Sequence, residues 1–153
     1  MNILKIFILD DNDKLNSPIL EHYLSLNPDN KVQIYYDSTT LLKDLKQKPD
    51  IVCLSDIYKG EQLLKKIKTK LPESFVIFIS EQKDIETVVK LVKNGVYDFI
   101  DSNADNVKEK LWETVNRIRN KDEKVIEYKN LYNNIESTPK SRKNSKNKNT
   151  KYL

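Results

Sequence analysis

The chain is poor in the residues and segments that mark several common classes of protein. Its 153 residues include one cysteine, Cys53, and one histidine, His22. A single cysteine excludes an intramolecular disulfide and a cysteine-based metal cluster. His22 falls in a helical pattern without a partner histidine, so we expect a surface residue rather than a metal ligand or a base. No apolar run approaches the roughly 18 residues that span a bilayer, and no signal-peptide pattern opens the chain, so we expect a cytoplasmic protein.

The net charge of +4 is distributed unevenly along the chain. Residues 137–153 contain six Lys or Arg residues and no acidic residue, whereas residues 1–136 contain 21 basic and 23 acidic residues. The sequence thus predicts a mildly acidic body followed by a basic tail. This tail is rich in Lys, Asn and Ser without an apolar period, so we expect it to be disordered. It could touch nucleic acid or another anionic surface non-specifically, or simply keep the protein soluble.

The remaining chain alternates short apolar runs with helical patterns, five times over. The predicted strands are Leu4–Leu9, Val32–Tyr36, Asp50–Leu54, Phe75–Ile79 and Tyr97–Ile100. The predicted helices cover residues 13–26, a segment capped by Asp37 and Ser38, and residues 63–71 and 84–93, with a fifth helix opening from Asn103 onward. The strands lack the polar–apolar alternation of half-exposed strands. This pattern predicts an α/β domain, a doubly wound (βα)5 fold with a parallel sheet and helices on both sides.

Single residues suggest where the predicted helices begin, end and face the core. Pro18 must lie in or near the first turn of the first helix. Gly60 is expected to precede the third helix, and Asn94-Gly95 to end the fourth. Apolar residues expected to face the core include Ile19, Ile85, Val88, Val89 and Val92. Trp112 is expected either at a face shared by the fourth and fifth helices or at the edge of the core.

Three carboxylates, Asp10, Asp11 and Asp13, directly follow the first predicted strand. Open α/β folds place their ligands at this carboxyl edge of the parallel sheet. A divalent metal ion or a cationic side chain there would offset the repulsion among the acids. Asp13 is expected to start a turn and cap the following helix. The Asp10–Asp11 pair is expected to form a pocket.

From Lys5 to about Ile118 the sequence resembles the receiver domain of two-component response regulators. The matching segments are Ile8-Leu9-Asp10-Asp11, Pro49-Asp-Ile-Val-Cys-Leu54, Leu63-Leu-Lys-Lys-Ile-Lys68, Val76-Ile-Phe-Ile-Ser80 and Gly95-Val-Tyr-Asp-Phe-Ile100. Each match is weak by itself, but all five occur in order at the spacing of the family. The resemblance implies a flavodoxin-like receiver fold and a role in phosphorelay signal transduction.

The resemblance also implies a site built from five elements, two of which this chain lacks. In the family, two acids hold Mg²⁺, and these match Asp10 and Asp11. The hydroxyl residue that ends the fourth strand matches Ser80. The switch aromatic matches Phe99, which is equally interpretable as a core residue. The two missing elements are the phosphoacceptor aspartate, whose position falls on Ser55, and the conserved lysine of the family pattern, whose position falls on Ser102.

These departures predict a degenerate form, a pseudo-receiver without catalytic residues. Glu81 stands where the family has a small residue, and the loop from Ser55 to the third helix is shortened. Glu81 disfavours entry of a phosphoryl group, and because the shortened loop helps form the pocket, Mg²⁺ binding at the acid pair is expected to be weak or vestigial. One alternative stays open. Through a bulge or a register shift, Asp56 could reach the pocket and accept a phosphoryl group from a histidine kinase with Mg²⁺.

The expected organisation is a receiver-like domain over residues 1–119, a helical extension or linker over residues 120–136, and the disordered basic tail over residues 137–153. The expected role is that of a protein–protein interaction module rather than an enzyme. The resemblance implies a signalling partner that docks on the face of the fourth helix, fifth strand and fifth helix. A homodimer remains an alternative. No cofactor is expected apart from weakly bound Mg²⁺, and nucleic acid is expected only as a non-specific partner of the tail.

Overall fold

Strands and helices alternate along the part of the chain that the structure, a computed structural model, describes. That part comprises residues 3–11, 13–55, 57–81 and 85–120, with the backbone alone for residues 57–59. The strands are β1 Leu4–Leu9, β2 Asn30–Tyr35, β3 Ile51–Leu54, β4 Phe75–Ser80 and β5 Asp98–Asp101. The helices are α1 Ser17–Leu24, α2 Ser38–Lys43, α3 Ile57–Lys70, α4 Ile85–Lys93 and α5 Val107–Arg119, and a 3-10 turn, Asp44–Gln47, follows α2.

The five strands form one parallel sheet in the order β2-β1-β3-β4-β5. Leu9, the last residue of β1, pairs with Tyr35 on one side and Leu54 on the other. The carboxyl ends of β1 and β3 therefore meet at the same edge of the sheet. The predicted doubly wound α/β fold is confirmed.

Two clusters of buried side chains cover the two faces of the sheet. We call the cluster beneath α2, α3 and α4 the upper cluster and the cluster beneath α1 and α5 the lower cluster. The upper cluster includes Phe7, Leu9, Val52, Leu54, Leu64, Phe78, Leu91 and Phe99. The lower cluster includes Ile6, Ile8, Leu20, Ile51, Cys53, Ile79, Leu111 and Val115. Because Cys53 is fully buried, the pKa of its thiol is raised to about 12.

The prediction that the first helix begins near Asp13 is wrong, because α1 begins at Ser17. The Asp10 carboxylate accepts hydrogen bonds from the backbone N–H groups of three residues that follow it, and these hold the segment in a loop. Asp13 and Asn16 lie in the left-handed region with φ of 54° and 53°, which helical residues do not adopt. Pro18 lies in the first turn of α1, as predicted.

The third helix begins at Ile57, well before the predicted Leu63, and Gly60 lies inside it rather than ahead of it. A Cβ atom at position 60 would stand 2.2 Å from Cε2 of the Phe78 ring in β4. Real Cβ contacts are never this short, so a glycine is needed where α3 passes over β4. The close approach of α3 to β4 therefore explains the glycine at position 60, which does not mark the start of a helix.

Other bounds and faces also differ from the predictions. β2 begins at Asn30 and β5 runs from Asp98 to Asp101, each shifted by a residue or two. Ile19 and Ile85 are 50% and 61% exposed, so their expected inward orientation is wrong. Leu91 is the residue that α4 buries, since it sits in the upper cluster.

Two local predictions about the helices are settled by contacts. Gly95 has φ of 98°, and its N–H donates to the carbonyl of Val92, which ends α4 as predicted. Trp112 makes an edge contact with Tyr23 of α1, with the ring centroids 5.5 Å apart. It therefore lies at the edge of the lower cluster, and its placement on a face with α4 is wrong.

Several predictions concern residues that the structure does not describe. Asp56, most of the extension at residues 120–136 and the basic tail at residues 137–153 lie outside the described residues. His22 is exposed on α1, as expected. The described helices are all too short or too polar to cross a membrane.

Candidate functional site

The carboxyl edge of the sheet brings Asp11 and Ser55 into contact. Asp10 and Asp11 directly follow β1, and Ser55 directly follows β3. Since Leu9 and Leu54 are paired, the residues after them emerge side by side. The Ser55 hydroxyl donates a hydrogen bond to Oδ1 of Asp11 at 3.2 Å. A neutral hydroxyl therefore faces the acid pair from the end of β3.

Asp10 is buried, with 1% of its surface exposed, and its carboxylate organises the loop between β1 and α1. Oδ1 accepts from the backbone N–H groups of Lys14 at 2.9 Å and Leu15 at 3.2 Å, and Oδ2 accepts from that of Ser17 at 3.4 Å. Both oxygens thus have donors from the chain itself. The backbone N–H dipoles satisfy this buried charge, a role that the sequence did not suggest.

The oxygen ligands of the site are of the type that Mg²⁺ binds. Asp11 is less buried than Asp10, so it is the carboxylate better placed to meet a cation. Within the described ranges, no three His, Cys, Asp or Glu side chains converge on one point. The described residues therefore supply a site of two carboxylates with one hydroxyl beside it. Any further ligand of a metal ion would be water or a residue that the structure does not describe.

Ser80 is the last residue of β4, and Ser102 directly follows β5, the neighbouring strand. Ser80 is buried, and its hydroxyl donates to the carbonyl of Glu81 at 3.3 Å. The N–H of Ser102 donates to the carbonyl of Ser80 at 3.2 Å, which joins the two strand ends. Ser102 also lines a cavity of about 200 Å³ together with Lys14 and Lys108. A short hydroxyl side chain thus occupies position 102, with lysines from two other segments around the same cavity.

Phe99 lies in the upper cluster with 6% of its surface exposed. Its ring stacks on that of Phe78, with the centroids 5.5 Å apart and an angle of 19° between the planes. This packing fits the interpretation of Phe99 as a core residue. A switch role for Phe99, like that for Ser80, stays a prediction.

Sequence reasoning missed a buried carboxylate at the start of β5. Asp98 is 3% exposed and accepts hydrogen bonds from the Thr114 hydroxyl at 2.7 Å and from the N–H of Phe99 at 2.7 Å. The contact with Thr114 ties α5 to the sheet at the start of β5. The signal available in the sequence was an aspartate within an apolar strand segment, together with a threonine on the inward side of a later helix. The structure brings these two residues, Asp98 and Thr114, together.

The fold and this sheet edge define a class of protein, and comparison with known proteins gives the same class. The model of the response regulator receiver domain matches residues 6–116. The chain belongs to this family, whose members are generally non-enzymatic signalling modules of two-component systems.

Among individual proteins, the chain is similar to response regulators described as NtrX-like from Rickettsia felis and Rickettsia conorii. It is 32% identical to each over 116 residues, which cover 71% of this chain and 24% of the relative. The chain thus spans about a quarter of the length of these curated relatives.

Solved structures show the same fold. NtrX from Brucella abortus superposes with a TM-score of 0.63 at 25% identity, over 88% of this chain and 29% of that one. The response regulator DrrB from Thermotoga maritima gives a TM-score of 0.66 at 23% identity, over 79% of this chain and 54% of that one. The flavodoxin-like receiver fold expected from the sequence is confirmed.

Proposed function

We propose that this receiver domain does not accept a phosphoryl group and acts as a protein–protein interaction module in two-component signalling. The observation that carries the proposal is Ser55, which ends β3 and donates its hydroxyl hydrogen bond to Asp11. In the family, an aspartate at this position takes the phosphoryl group. Serine lacks the carboxylate from which an acyl phosphate forms.

Ser102, which directly follows β5, supports the same proposal. In the family, a lysine at this position pairs with the phosphoacceptor carboxylate. Losing only one member of such a pair would leave a partly buried charge without its partner, at a cost of about 3–5 kcal/mol. Serine at both positions leaves two neutral hydroxyl groups instead. The two replacements are therefore physically matched, as expected of a domain that has lost phosphotransfer altogether.

Two further features argue against a phosphoryl group and a tightly bound metal ion. Glu81 adds bulk and negative charge directly after Ser80, where the family has a small residue. Both oxygens of Asp10 already accept backbone hydrogen bonds, so a cation would compete with those donors. We therefore propose that Mg²⁺ binds weakly, through Asp11 above all.

The proposed module works in the cytoplasm and contacts a signalling protein through the face formed by α4, β5 and α5. This assignment rests on the resemblance to the family, whose members commonly use that face. Association with a second copy through the same face is the alternative arrangement.

An active phosphorelay receiver is the second candidate function. Asp56 directly follows Ser55 in the sequence, and a bulge after β3 would bring a carboxylate to the acid pair. Asp56 would then accept the phosphoryl group from a histidine kinase with Mg²⁺. Even in that arrangement Ser102 supplies no ammonium group, so the transferred charge would lack its usual partner.

Treatment with acetyl phosphate or beryllofluoride in the presence of Mg²⁺ separates the two candidates. We expect an unchanged intact mass with acetyl phosphate and unchanged amide NMR spectra with either reagent. An active receiver domain treated in parallel shows that the reagents work. A stoichiometric adduct that is stable in acid, labile in base and absent from Asp56→Asn would establish the phosphorelay function instead.

A further inference from the structure

The segment that contains α2, β3 and α3 carries charge of the opposite sign to the rest of the body. Residues 38–71 contain eight lysines and four acidic residues, a net charge of +4. The other residues of the 1–136 body contain 13 basic and 19 acidic residues, a net charge of −6. A positive field is thus confined to one part of a body that is otherwise acidic.

Most of this positive charge reaches the solvent. Six of the lysines are exposed on α2, α3 and the turn between α2 and β3, namely Lys43, Lys46, Lys48, Lys65, Lys66 and Lys70. Two of the acids are engaged locally, since Asp44 accepts the Tyr35 hydroxyl at 2.7 Å and Glu61 lies 3.7 Å from Nζ of Lys65. The Lys65–Glu61 pair is exposed and therefore weak.

A groove runs between the two helices at the centre of this positive surface. It is lined by Leu42 of α2 and by Lys65, Lys66, Thr69 and Lys70 of α3, with a volume of about 370 Å³. The groove surface is mainly apolar, because the lysine stems lie along it while their ammonium groups reach the solvent. An apolar slot ringed by cations suits a ligand with an apolar anchor and acidic flanks.

We propose that this groove binds an acidic amphipathic segment of a partner protein. An apolar side chain of the segment enters the groove beside Leu42, and flanking carboxylates meet Lys66 and Lys70. This surface lies on the α2–α3 side of the domain, so it is distinct from the α4, β5 and α5 face proposed above. Its charge and shape do not depend on Ser55, so the proposal stands whether or not the domain accepts a phosphoryl group.

Charge and chemistry favour this occupant over the others. The basic tail at residues 137–153 contains no acidic residue and would be repelled. Nucleic acid is favoured by arginines and by aromatic side chains that stack on bases. The described residues that line the groove include neither. A mainly apolar slot matches the way amphipathic helices dock into partner grooves.

The test uses the full chain and a fluorescently labelled helical peptide that presents two leucines one turn apart with glutamates around them. Fluorescence anisotropy is measured for the parent, for Lys66→Gln/Lys70→Gln and for Lys14→Gln/Lys31→Gln. The second pair removes the same charge from exposed positions in the loop before α1 and on β2, outside both proposed binding surfaces. We expect the groove variant to weaken peptide binding about tenfold and the control variant to weaken it less than about twofold.

Two altered probes test the two parts of the ligand. Replacing the leucines by serine, or the glutamates by glutamine, should each reduce the affinity, and added salt should reduce binding of the original peptide. Equal binding of the serine peptide would overturn the role of the groove. Equal losses in the two protein variants would show general charge attraction and would overturn the site.

Other occupants give distinct results. A short DNA duplex that binds more tightly than the peptide and depends on Lys66 and Lys70 would assign the surface to nucleic acid. Self-association in sedimentation experiments that is lost only in the groove variant, with peptide affinity unchanged, would assign it to a second copy. Either result would overturn the proposal. Thermal unfolding of each variant checks that the exposed substitutions leave the fold intact.

Discussion

At the scale of single residues, Asp11 has an unusual set of neighbours. It follows the buried carboxylate of Asp10, accepts a hydrogen bond from Ser55 and has no lysine at position 102 to balance it. We expect Asp11→Asn to stabilise the domain at neutral pH and low salt by about 1 kcal/mol, because it removes one of two adjacent like charges. Asparagine keeps an acceptor for the Ser55 hydroxyl. The measurement is urea denaturation with and without millimolar Mg²⁺.

A matched control separates this local effect from the loss of one negative charge. Asp29→Asn makes the same change before β2, at the opposite edge of the sheet, and should alter the stability little. High salt should shrink the gain from Asp11→Asn if the pocket is open to solvent. Strong stabilisation of the parent by Mg²⁺, together with destabilisation by Asp11→Asn, would instead reveal a working metal site.

Gly60 gives a second prediction at this scale, because two effects of opposite sign compete there. Gly60→Ala improves helix propensity by about 1 kcal/mol. The new Cβ atom would, however, stand 2.2 Å from Cε2 of the Phe78 ring, and overpacking of a core costs about 1–3 kcal/mol. We expect net destabilisation in urea unfolding. The loss should shrink in a Phe78→Leu background, and an unchanged stability of Gly60→Ala would contradict the close packing of α3 on β4.

The candidate site could be predicted in part. The resemblance to the receiver family predicted Ser55 beside the acid pair and Ser102 at the end of β5, because the positions of the family's motifs can be counted along this chain. It could not reveal that the Asp10 carboxylate accepts three backbone hydrogen bonds. That arrangement depends on the folding of a loop whose conformation no local pattern specifies.

At the scale of secondary-structure elements, ends set by neighbouring residues were predicted better than ends set by tertiary contacts. Asp37 caps α2, as its position before Ser38 indicated, and Gly95 ends α4. The starts of α1 and α3 were wrong, and a distant contact is involved in each case. For α1 it is the Asp10 carboxylate; for α3, the contact between Gly60 and Phe78 explains why the glycine lies inside the helix and does not mark its start.

The cap of α2 gives a prediction with a defined pH dependence. The Asp37 carboxylate accepts hydrogen bonds from the N–H and the hydroxyl of Thr40, and these lower its pKa. A lowered pKa in the folded state means that the ionised carboxylate contributes stability above its unfolded pKa of about 3.9. This contribution is lost as the pH falls through the lower folded value. We expect Asp37→Ala to lower the urea midpoint at pH about 7 and to lower it by less at pH about 3.

Asp37→Asn is the control for this pair of measurements. Asparagine is an equally good helix cap, so the variant should retain most of the stability at neutral pH while losing the pH dependence of the parent. If the urea midpoint of Asp37→Ala lies below that of the parent by the same amount at both pH values, the stabilisation would not come from the ionised carboxylate of Asp37.

At the scale of the whole molecule, the fold class followed from the alternation of apolar runs and helical patterns. That alternation depends only on which residues are buried, and burial in a doubly wound sheet repeats regularly along the chain. The basic tail lies outside this regularity. We expect deletion of residues 137–153 to leave the melting temperature and the cooperativity of unfolding unchanged, because the segment has too few apolar residues to offset its ordering entropy.

Differential scanning calorimetry of the deletion variant and the parent makes this measurement. A variant with the six Lys and Arg residues of the tail replaced by glutamine distinguishes the charge of the tail from its length. A drop of many degrees on deletion would mean that the tail docks on the domain.

The division of the core into two clusters determines how a change at one surface reaches the other. Along β1, Ile6 and Ile8 belong to the lower cluster and Phe7 and Leu9 to the upper cluster, so covalently adjacent residues serve opposite layers. In the described part of the chain, α2, α3 and α4 pack on the upper cluster and α1 and α5 on the lower one, and the sheet separates the two clusters. We expect any effect of a ligand bound between α2 and α3 to reach α1 and α5 through the strands, because both clusters are built on the same strands.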